Sequence, residues 1–111
     1  MNISNIFISM EFPKPIDNGF TVYSKSGCGY CVRVKTLLKQ QDVHFHVIDC
    51  DEFLLEDKPG FLQFILLLVG KEYKTFPMVF FNGTFLGGFK ETELHFKKIQ
   101  EKELKFDDTT F

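Results

Sequence analysis

Cys28 and Cys31 stand three positions apart in Ser24–Cys31, "SKSGCGYC", directly after the apolar run Phe20–Tyr23. Such a pair can clamp a metal, staple the chain, or exchange thiol for disulfide. A structural zinc site needs two further ligands at a compatible spacing, and the remaining candidates are Cys50, His44, His46 and His95. His44 and His46 share one strand face, neither precedes a knuckle-like turn, and Cys50 follows at that strand's end. A structural disulfide between residues so close would close a loop too short to remove much chain entropy. Position favours exchange. A cysteine between a strand's end and a helix's start faces unpaired N–H groups and the positive end of the helix dipole, and both stabilise a thiolate. Cys28 has that place and Lys25 adds a cation, surroundings that pull a thiol below its ordinary pKa of about 8.5. Cys28 is the expected nucleophile. Cys31, one turn into the helix and more buried, is the expected resolving thiol. Thiolate chemistry needs no general base, so the three histidines and Cys50 read as ordinary surface or core side chains.

These residues need elements to hold them. Phe20 to Ser24 is aromatic and β-branched, a strand, and Tyr30 to Gln41 carries Val34, Leu37 and Leu38 at helical spacing. Val43 to Asp49 alternates with period two, a second strand, completing a βαβ unit whose strands run parallel. The cysteines therefore fall at the carboxyl end of a strand, where open α/β sheets hold their sites. After Asp51-Glu52, Pro59 suits the first turn of a helix running to Val69, and Gly70 suits its left-handed stop. Met78 to Phe81 and Thr84 to Leu86 are β-prone, and Asn82-Gly83 between them signals a hairpin. Glu91 to Lys105, with Leu94, Ile99 and Leu104 roughly in phase, reads as an amphipathic helix. The order βαβαββα predicts an α/β fold with a four-stranded mixed sheet flanked by helices. Residues 1–18, with Pro13, Pro15 and Asn18-Gly19, read as an N-terminal extension to one domain over 19–111.

A chain of 111 residues builds a single modest core, which fifteen phenylalanines and no tryptophan make phenyl-rich. The net charge of -2, with acids and bases interleaved, offers no cationic stripe to phosphates, so nucleic acid is not an expected partner. Nor is a membrane: the longest apolar run, Phe64 to Val69, falls far short of the roughly 20 residues a bilayer demands, and the N-terminus lacks a secretory pattern. Three cysteines with one close pair make no disulfide framework, which points to a reducing compartment, the cytoplasm. In "FLQFILLLVG", Phe61, Phe64, Ile65 and Leu68 form the stripe expected to face the sheet, while Leu62, Leu66, Leu67 and Val69 extend the apolar surface round the helix. Either the extension, with Ile6, Phe7 and Ile8, folds over that surface or another chain does. A monomer or a weak dimer is expected.

Three features occur together: "CGYC" after a strand, Thr75-Phe76-Pro77 before one, and Gly87-Gly88 after the hairpin. With them the chain resembles the dithiol members of the glutaredoxin family, of thioredoxin-like fold, over most of its length. Lys25 and Tyr30 resemble the Lys-x-x-Cys-Pro-Tyr-Cys pattern, with Gly29 in place of the proline, and the tryptophan that precedes a thioredoxin pair is lacking. A proline heading a strand donates no ladder bond, so its neighbour Phe76 keeps backbone groups free for an extended ligand. The resemblance implies that Pro77 is cis and that Phe76 pairs with the cysteinyl part of glutathione. It implies a glutathione groove of Lys25, Tyr30, Thr75, Phe76, Pro77, Gly88, Phe89 and Glu91, with Lys25 facing the glycyl carboxylate and Glu91 the ammonium. Leu62 stands where the family often has Gln or Arg, leaving Gln63 one step off as a weak substitute, and Lys90 stands where an acid or hydroxyl is usual.

The activity so implied is reduction of protein disulfides or glutathione mixed disulfides. Cys28 attacks, Cys31 or a second glutathione resolves, and glutathione serves as co-substrate. The implied partners are client proteins with disulfides or glutathionylated cysteines, in electron transport at a family potential of about -200 to -230 mV. Members with Gly after the first Cys also resemble cluster holders, in which two chains share a two-iron two-sulfur cluster through Cys28 and glutathione thiolates. Gly29 permits that, so a dimeric iron–sulfur scaffold is the alternative; otherwise no metal is expected.

Overall fold

The computed structural model describes residues 11–109, with side chains as far as residue 101. The covering role expected of Ile6, Phe7 and Ile8 lies outside the described residues, as does the side chain of Leu104. Strand β1 (Phe20–Ser24) leads into α1 (Gly29–Gln40), followed by β2 (Phe45–Asp49), α2 (Asp51–Val69), β3 (Met78–Phe81), β4 (Thr84–Gly87) and α3 (Phe89–Thr109). The expected βαβαββα order holds. The sheet runs β2-β1-β3-β4, with β1 parallel to β2 and antiparallel to β3, and β3 antiparallel to β4. Asn82 and Gly83 both take positive φ, 52° and 83°, as the two-residue hairpin requires.

Every residue of the central strand β1 is buried, and its alternation divides the core. Phe20 and Val22 pack with Val34, Leu38, Val79 and Phe96 from α1, β3 and α3. Tyr23 turns the other way, to Ile48, Phe61, Ile65, Met78 and Phe80, beneath α2. Fully burying such a side chain contributes about 1.5–3 kcal/mol, and the phenyl rings add edge contacts such as Tyr23 on Phe80 at 5.4 Å.

Helix α2 begins at Asp51, well before Pro59, and is two helical pieces joined at Asp57, whose φ and ψ of -154° and 65° are not helical. Asp57 caps the second piece, its Oδ1 accepting the Gly60 N–H at 3.1 Å. Pro59 then occupies a first turn, where its missing N–H costs nothing. Gly70, at φ 90°, ends the helix as expected. Phe61 and Ile65 are buried and Phe64 and Leu68 pack beside them, so the predicted stripe faces the sheet, while Leu67 stays 73% exposed.

Helix α3 departs from expectation. Leu94 and Ile99 are exposed, and the inward residues are Phe89, Thr92 and Phe96. The helix starts two residues earlier than predicted, and its inward face follows the i, i+3, i+7 positions from Phe89. Leu94, two residues beyond Thr92, lies about 200° round the helix and points away. β2 is also shorter than predicted, because Asp42 turns with φ 57° and Val43 leaves the ladder to pack on the α1 layer.

The loop between β1 and α1 is tied to the start of α2. The Cys50 N–H donates to the Ser24 carbonyl at 2.8 Å, and Asp51 Oδ1 accepts the Ser26 N–H at 2.9 Å. The Ser26 hydroxyl donates to Asp51 Oδ2. That hydroxyl bond first, then the Ser26 N–H and the Lys25 charge, hold the Asp51 carboxyl below its ordinary 3.8.

Asp57→Ala removes the cap within α2 and is expected to lower the unfolding free energy by about 1 kcal/mol; an unchanged urea midpoint would show that Pro59 alone sets the break. A carboxyl with a depressed folded pKa stabilises the fold above its ordinary 3.8 and loses that contribution as pH falls through the folded value. Asp51→Asn should therefore be less stable than the parent at about pH 7, by a margin that shrinks as pH falls below 3.8, a comparison made by denaturant titration across that range.

Candidate active site

Cys28 is the N-cap of α1, with an extended backbone at φ -109° and ψ 106°. That conformation turns its side chain over the first turn, and Sγ accepts the Cys31 N–H at 3.1 Å. Sulfur here fills the place that a serine or aspartate oxygen usually takes. The first turn of α1 carries no acid, so nothing competes with that sulfur for the helix dipole. Cys28 and Cys31 are joined as a disulfide with their Cα atoms 5.2 Å apart. Cys28 is half-buried at the surface and Cys31 is 1% exposed, the order expected of an attacking and a resolving thiol.

The antiparallel pairing of β1 with β3 carries the residue before β3 to the same end of the sheet. The Phe76 carbonyl oxygen lies 3.6 Å from Cys28 Sγ, and the Phe76–Pro77 bond is cis. Lys25 Nζ stands 5.5 Å from the centre of the Phe76 ring. Beside the sulfur a groove of about 470 Å³ is walled by Thr75, Phe76 and Pro77 on one side and by Tyr30, Gly88, Phe89 and Glu91 on the other. All seven were expected from the sequence; Lys25, also expected, is not in the lining and meets it only at the Phe76 ring, lining instead a hollow with Ser24, Ser26 and Asp49. Gln63 is not in the lining either. It lines a separate hollow of about 220 Å³ with Pro59, Leu62 and Lys74, so neither Gln63 nor Leu62, at the position itself, lines the groove.

Gly88 immediately precedes α3, and its N–H donates to Glu91 Oε1 at 2.8 Å, the reciprocal half of a capping box. One oxygen of the expected ammonium acceptor is thus engaged with the helix start. Gly87 has φ 134°, and a Cβ there would meet the Glu91 side chain at 2.6 Å. At Gly88 an added Cβ would meet nothing closer than 3.5 Å, so the backbone demand falls on the first glycine.

Two groove neighbours were missed, Tyr73 and Arg33. Tyr73 completes the lining together with Lys90, which the sequence had marked there as a departure from the family pattern. The Arg33 guanidinium lies 4.5 Å from the Phe89 ring centre and 5.2 Å from that of Tyr30, joining the α1 and α3 parts of one wall. Its i+3 spacing from Tyr30 was a readable signal; Tyr73, on an irregular connection, gave none. Cys50 is wholly buried, and burial first, with the charges of Asp49 and Asp51, pushes its thiol up to about 12.

Among the described residues no three His, Cys, Asp or Glu side chains come together as a metal site. One chain offers a shared cluster a single groove-side sulfur, that of Cys28, now bonded to Cys31. A Cβ at Gly29 would meet nothing within 4 Å, so that glycine is not required by crowding. Among the described residues nothing favours the scaffold alternative over thiol–disulfide exchange. Among the described residues no helix is long and apolar enough to cross a membrane.

A family model described as Glutaredoxin matches residues 20–86. The chain is 36% identical over 76 residues to the mitochondrial Glutaredoxin-2 of Homo sapiens, covering 68% of this chain and 44% of that one. The chain spans about half the length of the curated relatives first matched. A crystal structure of a buckwheat glutaredoxin–glutathione complex is 33% identical, covers 73% of this chain and 71% of its own, and superposes with a TM-score of 0.59. The holo form of glutaredoxin C1 from Populus tremula x tremuloides is 29% identical, covers 86% and 83%, and gives 0.62. With its family-matched core, its thioredoxin-like sheet and a cysteine pair capping α1, the chain belongs to the glutaredoxin family, whose members are thiol–disulfide oxidoreductases.

Proposed function

We propose that this protein is a glutathione-dependent thiol–disulfide oxidoreductase acting on protein disulfides and glutathionylated cysteines in a reducing compartment, the cytoplasm. The observation that carries the reading is Cys28 Sγ, capping α1 through the Cys31 N–H at 3.1 Å while lying 3.6 Å from the Phe76 carbonyl at the head of an open groove. In the reduced form the Cys28 thiolate attacks the glutathione sulfur of a mixed disulfide. The old S–S bond breaks, the client leaves as a thiolate that takes up a proton, and Cys28 carries glutathione. The thiolate of a second glutathione attacks that bound sulfur, releasing oxidised glutathione and the Cys28 thiolate. With a client disulfide, Cys28 first forms a mixed disulfide with the client. Cys31 then attacks Cys28 Sγ, the client leaves as a dithiol, and the Cys28–Cys31 bond remains for two glutathiones to reduce.

In this reading the free backbone of Phe76 aligns the cysteinyl part of glutathione, with Thr75 and Pro77 shaping the same wall. Lys25 supplies a cation for the glycyl carboxylate. Tyr30 and Phe89 form the opposite wall, and Gly88 and the second oxygen of Glu91 receive the γ-glutamyl end, beside the added charge of Lys90. Gln63 takes no part. The proposal is supported by the family, by the open groove beside the Phe76 wall, and by a buckwheat glutaredoxin relative whose crystal structure is a complex with glutathione.

Cys28→Ser is expected to lower turnover of a small glutathione mixed disulfide by more than about a thousandfold, the scale of losing a nucleophile. Cys31→Ser should stay within about tenfold of the parent, because a second glutathione replaces the resolving thiol. Equal activity of Cys28→Ser and parent would end the mechanism. Iodoacetamide at about pH 6 should modify the reduced protein on Cys28 and spare Cys50, the thiol at about 12; mass mapping that finds the adduct on Cys50 first would reverse the assignment.

A further inference from the structure

Residues 11–18 precede the family-matched stretch 20–86, and the chemistry above gives them no part. Two hydrogen bonds strap them to β1. The buried Tyr23 hydroxyl donates to the Pro13 carbonyl at 2.7 Å, and the Ile16 N–H donates to the Oγ1 of Thr21, also buried, at 2.9 Å. The strap lays Phe12 into the α2 layer, with ring centres 5.2 Å from Phe53, 5.5 Å from Phe61 and 5.4 Å from Phe64. Phe61 is wholly buried and stacks on Phe76 at 6.3 Å with 8° between the planes. Phe76 carries the Lys25 cation on its ring and its carbonyl beside Cys28.

Three rings therefore run in contact from the strap to the reactive sulfur. Phe61 lies one turn past the Asp57 break, near the start of the second helical piece. Close packing fixes it: a core ring keeps its orientation because partners fill the space on both sides. Phe76 fills one side, and Phe12 with Phe53 the other. Truncating Phe12 opens a phenyl-sized void into which Phe61 relaxes, because cavities collapse in part, and Phe76 loses the surface that aligns it. Cys28 depends on α1, packed on the opposite face of the sheet, and keeps its cap.

We propose that Phe12 is a positioning residue for the active site, holding Phe76 and the Lys25 cation in register for the glutathione part of the substrate through Phe61. This rests on the glutathione-dependent reading. It assigns work at the site to a segment outside the family domain.

The test uses the full chain with Phe12→Ala and Phe12→Leu, assayed on a glutathione–peptide mixed disulfide. Phe12→Ala should raise KM about fivefold or more, since small misplacements of a binding wall are costly. Its kcat should stay within about twofold, and its Cys28 alkylation profile against pH should match the parent. Phe12→Leu should restore much of KM, and it carries the comparison should the alanine variant fail to fold. A lowered melting temperature with unchanged KM in both variants would overturn the inference and leave the glutathione reading intact. Should the parent show no turnover, that reading fails, and amide resonances decide the coupling: the Phe76 signal must shift in the variant while that of Thr92, in the other layer, stays, and a still Phe76 overturns it.

Discussion

A sulfur standing where an oxygen usually caps a helix is the interaction on which this site depends. The first turn of any α-helix leaves N–H groups unpaired, and in α1 one of them, that of Cys31, is satisfied by Cys28 Sγ. A thiolate accepts that bond more strongly than a thiol, so the fold's need for a cap and the chemistry's need for an ionised sulfur favour the same protonation state. Structural stability and reactivity here rest on one geometry, set by the extended backbone at residue 28.

The sheet order explains why that sulfur meets a binding wall at all. β1 ends, β3 begins and β4 ends at one edge of the sheet, so Cys28, Phe76 and the Gly87–Glu91 corner converge without long loops. The polar clip of Ser26 to Asp51 and the cap of Gly88 by Glu91 hold the ends of two of these segments. Phenyl stacking beneath α2 holds the third. Each approach to the groove is fixed by a different kind of contact, and the hydrogen-bonded ones lie nearest solvent.

Elements with strong local signals were legible in the sequence: the Asn82-Gly83 hairpin, the Gly70 stop and the stripe of Phe61 and Ile65 all stand as read. The groove residues were legible through the family resemblance, which Thr75-Phe76-Pro77 and Gly87-Gly88 carry beside the cysteine pair. What escaped were choices decided by tertiary packing. The start of α2 at Asp51 and the inward turn of Phe89 in place of Leu94 depend on which layer has room, and hydrophobic spacing of two or three residues does not fix a helix's phase. Gln63 was carried by analogy at one residue's displacement, and both it and Leu62, at the position itself, line a different hollow.

Cys50 shows why position alone was an incomplete argument for Cys28. It too follows a strand and immediately precedes a helix, so by that criterion the chain has two activated thiols. The backbone separates them. At Cys50 ψ is 4°, and its side chain makes no cap bond, its sulfur lying instead 3.5 Å from the Ile48 carbonyl. Asp51 and Glu52 occupy the first turn of α2 and answer the dipole there, whereas α1 leaves its first turn free of acids. Burial then disfavours the charged form outright. Two cysteines that each precede a helix after a strand thus differ, one half-buried and capping its helix, the other enclosed between two acids, and the difference lies in about 100° of one torsion and the charges that follow it.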